Sequence, residues 1–93
     1  MNVVIIGGRA RMERRYMDIC REYGCKAKIY TQPKGNLGCL IGMPDLIVLF
    51  MNPVAHEMAL IVKKKAAAKG IPLAQSSCAS CNSLRNILEK VFG

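Results

Sequence analysis

The 93-residue chain has no tryptophan, three tyrosines and two phenylalanines. Nucleic-acid binders that stack bases interleave aromatic rings with basic side chains, and no such interleaving is present. Long apolar runs are also missing. The longest, Leu46 to Met51, falls far short of the roughly 20 residues that cross a bilayer, so no membrane association is expected. Acidic residues are scarce, six against 14 Lys and Arg, for a formal charge of +8. None stands directly after the first or third apolar run, where Gly7 and Met51-Asn52 occur, which excludes a phosphoacceptor receiver. No cysteine follows the first run, which excludes a low-molecular-weight phosphatase. No paired carboxylates mark a hydrolase. Neither Gly-x-Gly-x-x-Gly nor a Gly-Lys-Ser/Thr phosphate loop is present.

Five cysteines are present, an odd number. Met1 leads straight into a strand pattern, with no basic region and long apolar stretch before it. The expectation is a cytoplasmic protein whose thiols stay reduced, not a disulfide framework.

Val3-Val4-Ile5-Ile6 is apolar throughout and stops at Gly7-Gly8, the pattern of a strand buried on both faces. A helix follows, with Met12, Tyr16, Ile19, Cys20 and Tyr23 on one face and arginines on the others. Gly24 ends it. Lys26 to Tyr30 alternates Ala27 and Ile29 against Lys26 and Lys28, which fits an edge strand with one wet face. From Thr31 to Pro44, two prolines and three glycines oppose a long helix. Leu37, Leu40 and Ile41 there could form one short turn on the core. Leu46 to Phe50 is the strongest strand. Asn52-Pro53 then reads as the cap and first residue of a helix whose apolar face is Val54, Met58, Ile61, Val62 and Ala66. Gly70 ends it. Ile71 to Ala74 reads as a fourth strand, Ser76 to Ser83 as a serine-rich turn, and Leu84, Ile87, Leu88 and Val91 mark a last helix.

Strands alternating with helices predict a parallel sheet. Right-handed crossovers give it the order 2-1-3-4. The expected fold is one α/β domain over residues 1–93, a three-layer Rossmann-like arrangement with three main helices. The first and last helices would lie on one face. The middle helix and the glycine-rich crossover would cover the other.

Open parallel sheets bind ligands beyond the carboxyl ends of their strands, where strand order reverses. Here that point lies between strands one and three. Gly7, Gly8 and Arg9 could offer backbone amides to an anion, with bidentate contacts from Arg9 and Arg11. Asn52 and His56, the only histidine, sit on the neighbouring loop and helix start. Ser76 and Ser77 approach the same edge and could donate hydroxyls. Each also has a plain structural reading: a tight turn, solvated arginines, a core histidine or helix caps. Cys78 and Cys81 form a Cys-x-x-Cys at a helix start, the spacing of a thiol redox pair or half a zinc site. The competing reading is a pair of small packing residues.

The stretches Val3 to Gly8, Tyr23-Gly24-Cys25, Pro44 to Val48 with Val54-Ala55-His56, and Ser76-Ser77 with Ser83-Leu84 resemble a bacterial family, domain of unknown function 2325. The likeness covers nearly the whole chain. It implies a compact Rossmann-like domain with no assigned activity, with the family's recurrent marks on Gly7, Gly8, His56, Ser76 and Ser77. The Cys78/Cys81 pair is not part of that pattern.

The leading expectation is a regulatory or non-catalytic domain for a small phosphorylated or otherwise anionic ligand, such as a nucleotide, with no cofactor implied. The alternatives are a homodimeric module that docks on protein or nucleic acid through its basic surface, and a thiol redox or zinc site at Cys78 and Cys81.

Overall fold

The structure is a computed structural model that describes residues 1–31, 41–51 and 56–92. Strand β1 (Asn2–Ile6) leads through a 3-10 turn (Ala10–Met12) into α1 (Glu13–Glu22). Then come β2 (Lys26–Tyr30), β3 (Leu46–Phe50), α2 (His56–Lys69), β4 (Leu73–Ser76) and α3 (Cys81–Phe92). The four strands form one parallel sheet in the order β2-β1-β3-β4. This is the α/β arrangement and strand order that the alternating pattern predicts.

Alternate residues along each strand point to opposite faces, and the core divides accordingly. Val3, Ile5, Leu46, Val48 and Phe50 meet Tyr16, Ile19 and Cys20 of α1 and Leu84 and Leu88 of α3. Val4, Ile6, Ile47 and Leu49 meet Met58, Ala59, Val62 and Ala66 of α2, together with Ile41 and Ile71. All five residues of β3 are buried, because that strand is central and both faces are covered. At the edge, Lys26 and Lys28 of β2 are exposed, while Ala27 and Ile29 pack inward.

Across the first face, α1 and α3 are also tied at their surface. The Tyr23 hydroxyl donates to Glu89 Oε2 at 2.7 Å, and Arg85 pairs with Glu22. Both links are exposed, so they contribute little beside the buried side chains.

Two details differ from the sequence pattern. The fourth strand is Leu73–Ser76 rather than Ile71–Ala74. The Ile71 amide donates to Ala66 O at 2.9 Å, closing the end of α2 after Gly70, whose φ is +65°. Pairing begins only when Ile47 N–H reaches Pro72 O, and the ladder runs to Phe50 opposite Ser76. On α2, Ile61 is 39% exposed and Ala59 is buried instead. Met58, Val62 and Ala66 set the centre of the buried stripe. At about 100° per residue, Ala59 falls inside that stripe and Ile61 outside it. Leu37, Leu40, Asn52, Pro53 and Val54 lie outside the described residues.

The last helix provides a direct check of this packing. Leu84 is fully buried and Val91 is 46% exposed. Leu84→Ala is expected to cost about 2–5 kcal/mol. Val91→Ala should stay within about 0.5 kcal/mol. Urea denaturation followed by circular dichroism measures both. Equal effects would contradict the burial of α3 described here.

Candidate functional site

The turn after β1 is built around glycine conformations. Gly7 and Gly8 have φ of +87° and +83°, the left-handed region that side chains avoid. Gly8 also has no room for a side chain. A Cβ there would lie 3.0 Å from the Tyr16 hydroxyl oxygen, 3.1 Å from Tyr16 Cε2 and 3.3 Å from Phe50 Cδ2. Tyr16 is fully buried, its ring 5.4 Å from that of Phe50.

The Tyr16 hydroxyl is the junction of the site. It donates to Ala79 O at 2.6 Å and packs against Gly8 in the turn after β1. One phenol therefore fastens the β1–α1 turn to the β4–α3 loop. Burial pushes its pKa above the ordinary value, while the Arg9 amide works the other way.

This arrangement turns the two glycines expected to form an anion cradle inward. Gly7 N–H donates to Tyr30 O at 2.9 Å. Gly7 and Gly8 are both buried. What remains open is side-chain chemistry and the start of α3.

Arg9, Met12, Ser77, Cys78, Ala79 and Ser80 line a surface cleft of about 360 Å³. It opens at the carboxyl side of the sheet, between the turn after β1 and the loop after β4. The Arg9 side chain is exposed and makes no ion pair among the described residues. Ser80 caps α3, accepting Ser83 N–H at 3.1 Å and donating to Ser83 Oγ at 2.9 Å. Leu84 N–H reaches Ser80 O. The amides of Cys81 and Asn82, in the first turn, have no partner within the helix.

The other expected residues are placed as follows. Arg11 is exposed on the 3-10 turn and does not line the cleft. Ser76 ends β4, and its Oγ donates to Cys78 O at 2.9 Å and accepts Cys78 N–H at 3.3 Å, so it shapes the loop. His56 is exposed at the start of α2, a helix that packs on the opposite face of the sheet, and it is not among the cleft-lining residues. Asn52 lies outside the described residues. Tyr16 and Ala79 read in the sequence as a core aromatic and a loop alanine. Nothing in a one-dimensional pattern marks two residues 63 positions apart as hydrogen-bonded.

A larger cleft, about 510 Å³, lies at the amino ends of β1 and β2. Asn2, Val4, Lys26, Lys28, Ile41 and Met43 are among its lining residues. It is on the far side of the sheet from the strand carboxyl ends. Among the described residues, no three His, Cys, Asp or Glu side chains cluster as a metal site. No helix among them is long and apolar enough to cross a membrane.

The bacterial family described as "Uncharacterized protein conserved in bacteria (DUF2325)" matches residues 2–91. The chain belongs to this family. No curated protein and no solved structure matches it. For this DUF2325 member the fold and the cleft are therefore read from its own residues.

Two substitutions test the junction. Tyr16→Phe removes a buried hydroxyl that joins two loops, and a loss of about 1–3 kcal/mol is expected. Because the folded-state pKa of Tyr16 is raised from 10.0, the native state favours the neutral phenol. That contribution is complete below pH 10 and is lost as pH rises through the folded value. The stability gap between wild type and Tyr16→Phe should therefore narrow at high pH. Gly8→Ala is expected to cost more than the roughly 1–2 kcal/mol of the backbone conformation alone, since the methyl also meets Tyr16. Denaturation curves across a pH series give both results. A neutral Gly8→Ala would show that this close approach is not real.

Proposed function

We propose that this DUF2325 domain binds a small phosphorylated or otherwise anionic ligand in the cleft at the carboxyl side of its sheet, in a regulatory rather than catalytic role. One observation carries the reading. The Arg9 guanidinium, which makes no ion pair among the described residues, shares a cleft with Ser77 and with Ser80, the cap of α3. A guanidinium gives bidentate contacts to phosphate, and a helix start adds unpaired amides and a favourable dipole. The chain's net charge of +8 raises the local concentration of any anion. Among the described residues that line the cleft, none is aspartate, glutamate or histidine, which suits holding an anion more than moving protons. Of the residues expected from sequence, Arg9 and Ser77 make the contacts in this reading. Arg11 and His56 stand outside the cleft.

Calorimetric titration with inorganic phosphate and with nucleoside monophosphates tests it. Arg9→Ala is expected to weaken binding by about tenfold or more, the scale of a lost charge-assisted contact. His56→Ala should leave it unchanged. Binding that survives Arg9→Ala intact would sink the proposal.

A second reading, self-association, rests on α2. Its outward side carries Leu60 and Ile61, 48% and 39% exposed, followed by the exposed Ala67 and Ala68. Small residues let a second helix approach closely. Sedimentation analysis is expected to show a dimer that Ile61→Lys shifts to monomer. A monomer at all concentrations would remove this reading.

A further inference from the structure

The four described cysteines fall into two classes. Cys20 and Cys25 are buried, and burial raises the Cys20 thiol to about 11. Cys25 Sγ is directed to Tyr23 O at 3.5 Å. These two are packing residues held away from solvent. Cys78 is exposed and Cys81 is half-buried, and they lie on either side of the Ser80 cap. Cys78 lines the Arg9 cleft. Cys81 is the first residue of α3 and lines a neighbouring surface groove with Arg15 and Arg85.

We infer that Cys78 and Cys81 form a reversible disulfide by exchange with a low-molecular-weight disulfide, and that this bond reshapes the wall of the cleft. The two cysteines are three Cα steps apart, and a disulfide requires its Cα atoms within about 7 Å. To meet that requirement the segment gives up local hydrogen bonds such as those between Ser76 Oγ and Cys78, so closing the bond changes the shape of the loop. Cys78, as the exposed thiol, reacts first. Its thiolate displaces one sulfur of the small disulfide, whose other half leaves as a thiolate and takes a proton from solvent. The Cys81 thiolate then attacks Cys78 Sγ in the mixed disulfide and releases the second small thiol. In sum, two protein thiols give up two electrons and two protons, and one small disulfide becomes two thiols.

The consequence for binding rests on the anion reading above. Cys78, Ala79 and Ser80 are three of the six described residues that line the cleft. Closing the ring draws Cys78 toward the start of α3, over the amides of Cys81 and Asn82. Oxidation is therefore expected to weaken phosphate binding, while reduction restores it.

The test treats the full chain with oxidised glutathione, alkylates the remaining thiols and maps the peptides by mass. The wild type is expected to show a Cys78–Cys81 bond, lighter by two hydrogens, with no glutathione retained and Cys39 alkylated. Cys81→Ser is expected to trap a glutathione adduct on Cys78, since nothing resolves it. A stable adduct on the wild type, a bond to Cys39, or free Cys78 and Cys81 thiols would overturn the inference. Phosphate titration of the reduced and oxidised chains completes the test. About tenfold weaker binding on oxidation supports the switch, and equal binding overturns it. If neither form binds phosphate while the bond forms, the anion reading fails and the disulfide stands.

Discussion

The Tyr16 hydroxyl holds the carboxyl edge of this domain together. It is fully buried, yet it has a partner, giving its proton to Ala79 O while it packs against Gly8. A buried hydroxyl with no partner would destabilise the fold, whereas a satisfied one fixes the groups it touches. The loops that it joins follow β1 and β4, which flank β3 in the sheet. Gly8 is the geometric condition for this contact. Only a residue without a side chain lets the phenol lie so close to the backbone. The glycine pair that resembles a ligand-binding turn thus serves an internal bond.

That displacement governs the chemistry left at the edge. In many parallel α/β domains the amides after the first strand point at a bound phosphate. Here β2 takes the Gly7 amide, and Gly8 is buried against Tyr16. The groups still open are the Arg9 side chain, the Ser77 hydroxyl and the first turn of α3. In the proposed function, anion recognition therefore passes from the turn after β1 to the loop after β4. The same loop carries the two accessible thiols. Binding and thiol chemistry would then share one short segment, Ser77 to Cys81, whose conformation Tyr16 holds from below.

The two faces of the sheet are covered differently. One carries α1 and α3, whose polar surfaces are linked by Tyr23–Glu89 and Arg85–Glu22. The other carries α2, where apolar residues occur on the outward side as well as the buried side. That outward side also carries Glu57, Lys63 and Lys64, so its apolar part is confined to Leu60, Ile61, Ala67 and Ala68.

The sequence by itself determined the parallel sheet, its strand order and the assignment of helices to faces. Those features follow from short-range rules. Runs such as Val3–Ile6 and Leu46–Phe50 are apolar without alternation, helices intervene between strands, and crossovers are right-handed. The sequence also pointed to the strand carboxyl ends, where Arg9 and Ser77 line one cleft. Ile71 misled because an apolar residue that closes a helix looks like the first residue of a strand. Only the tertiary structure decided which amides are free, that Gly8 faces Tyr16, and that His56 stands away from the cleft. Each of these depends on contacts between residues distant in the chain. Hydrogen bonds such as Tyr16 to Ala79 leave no periodic trace in the sequence, because they are set by how the elements pack and not by any residue's own preference.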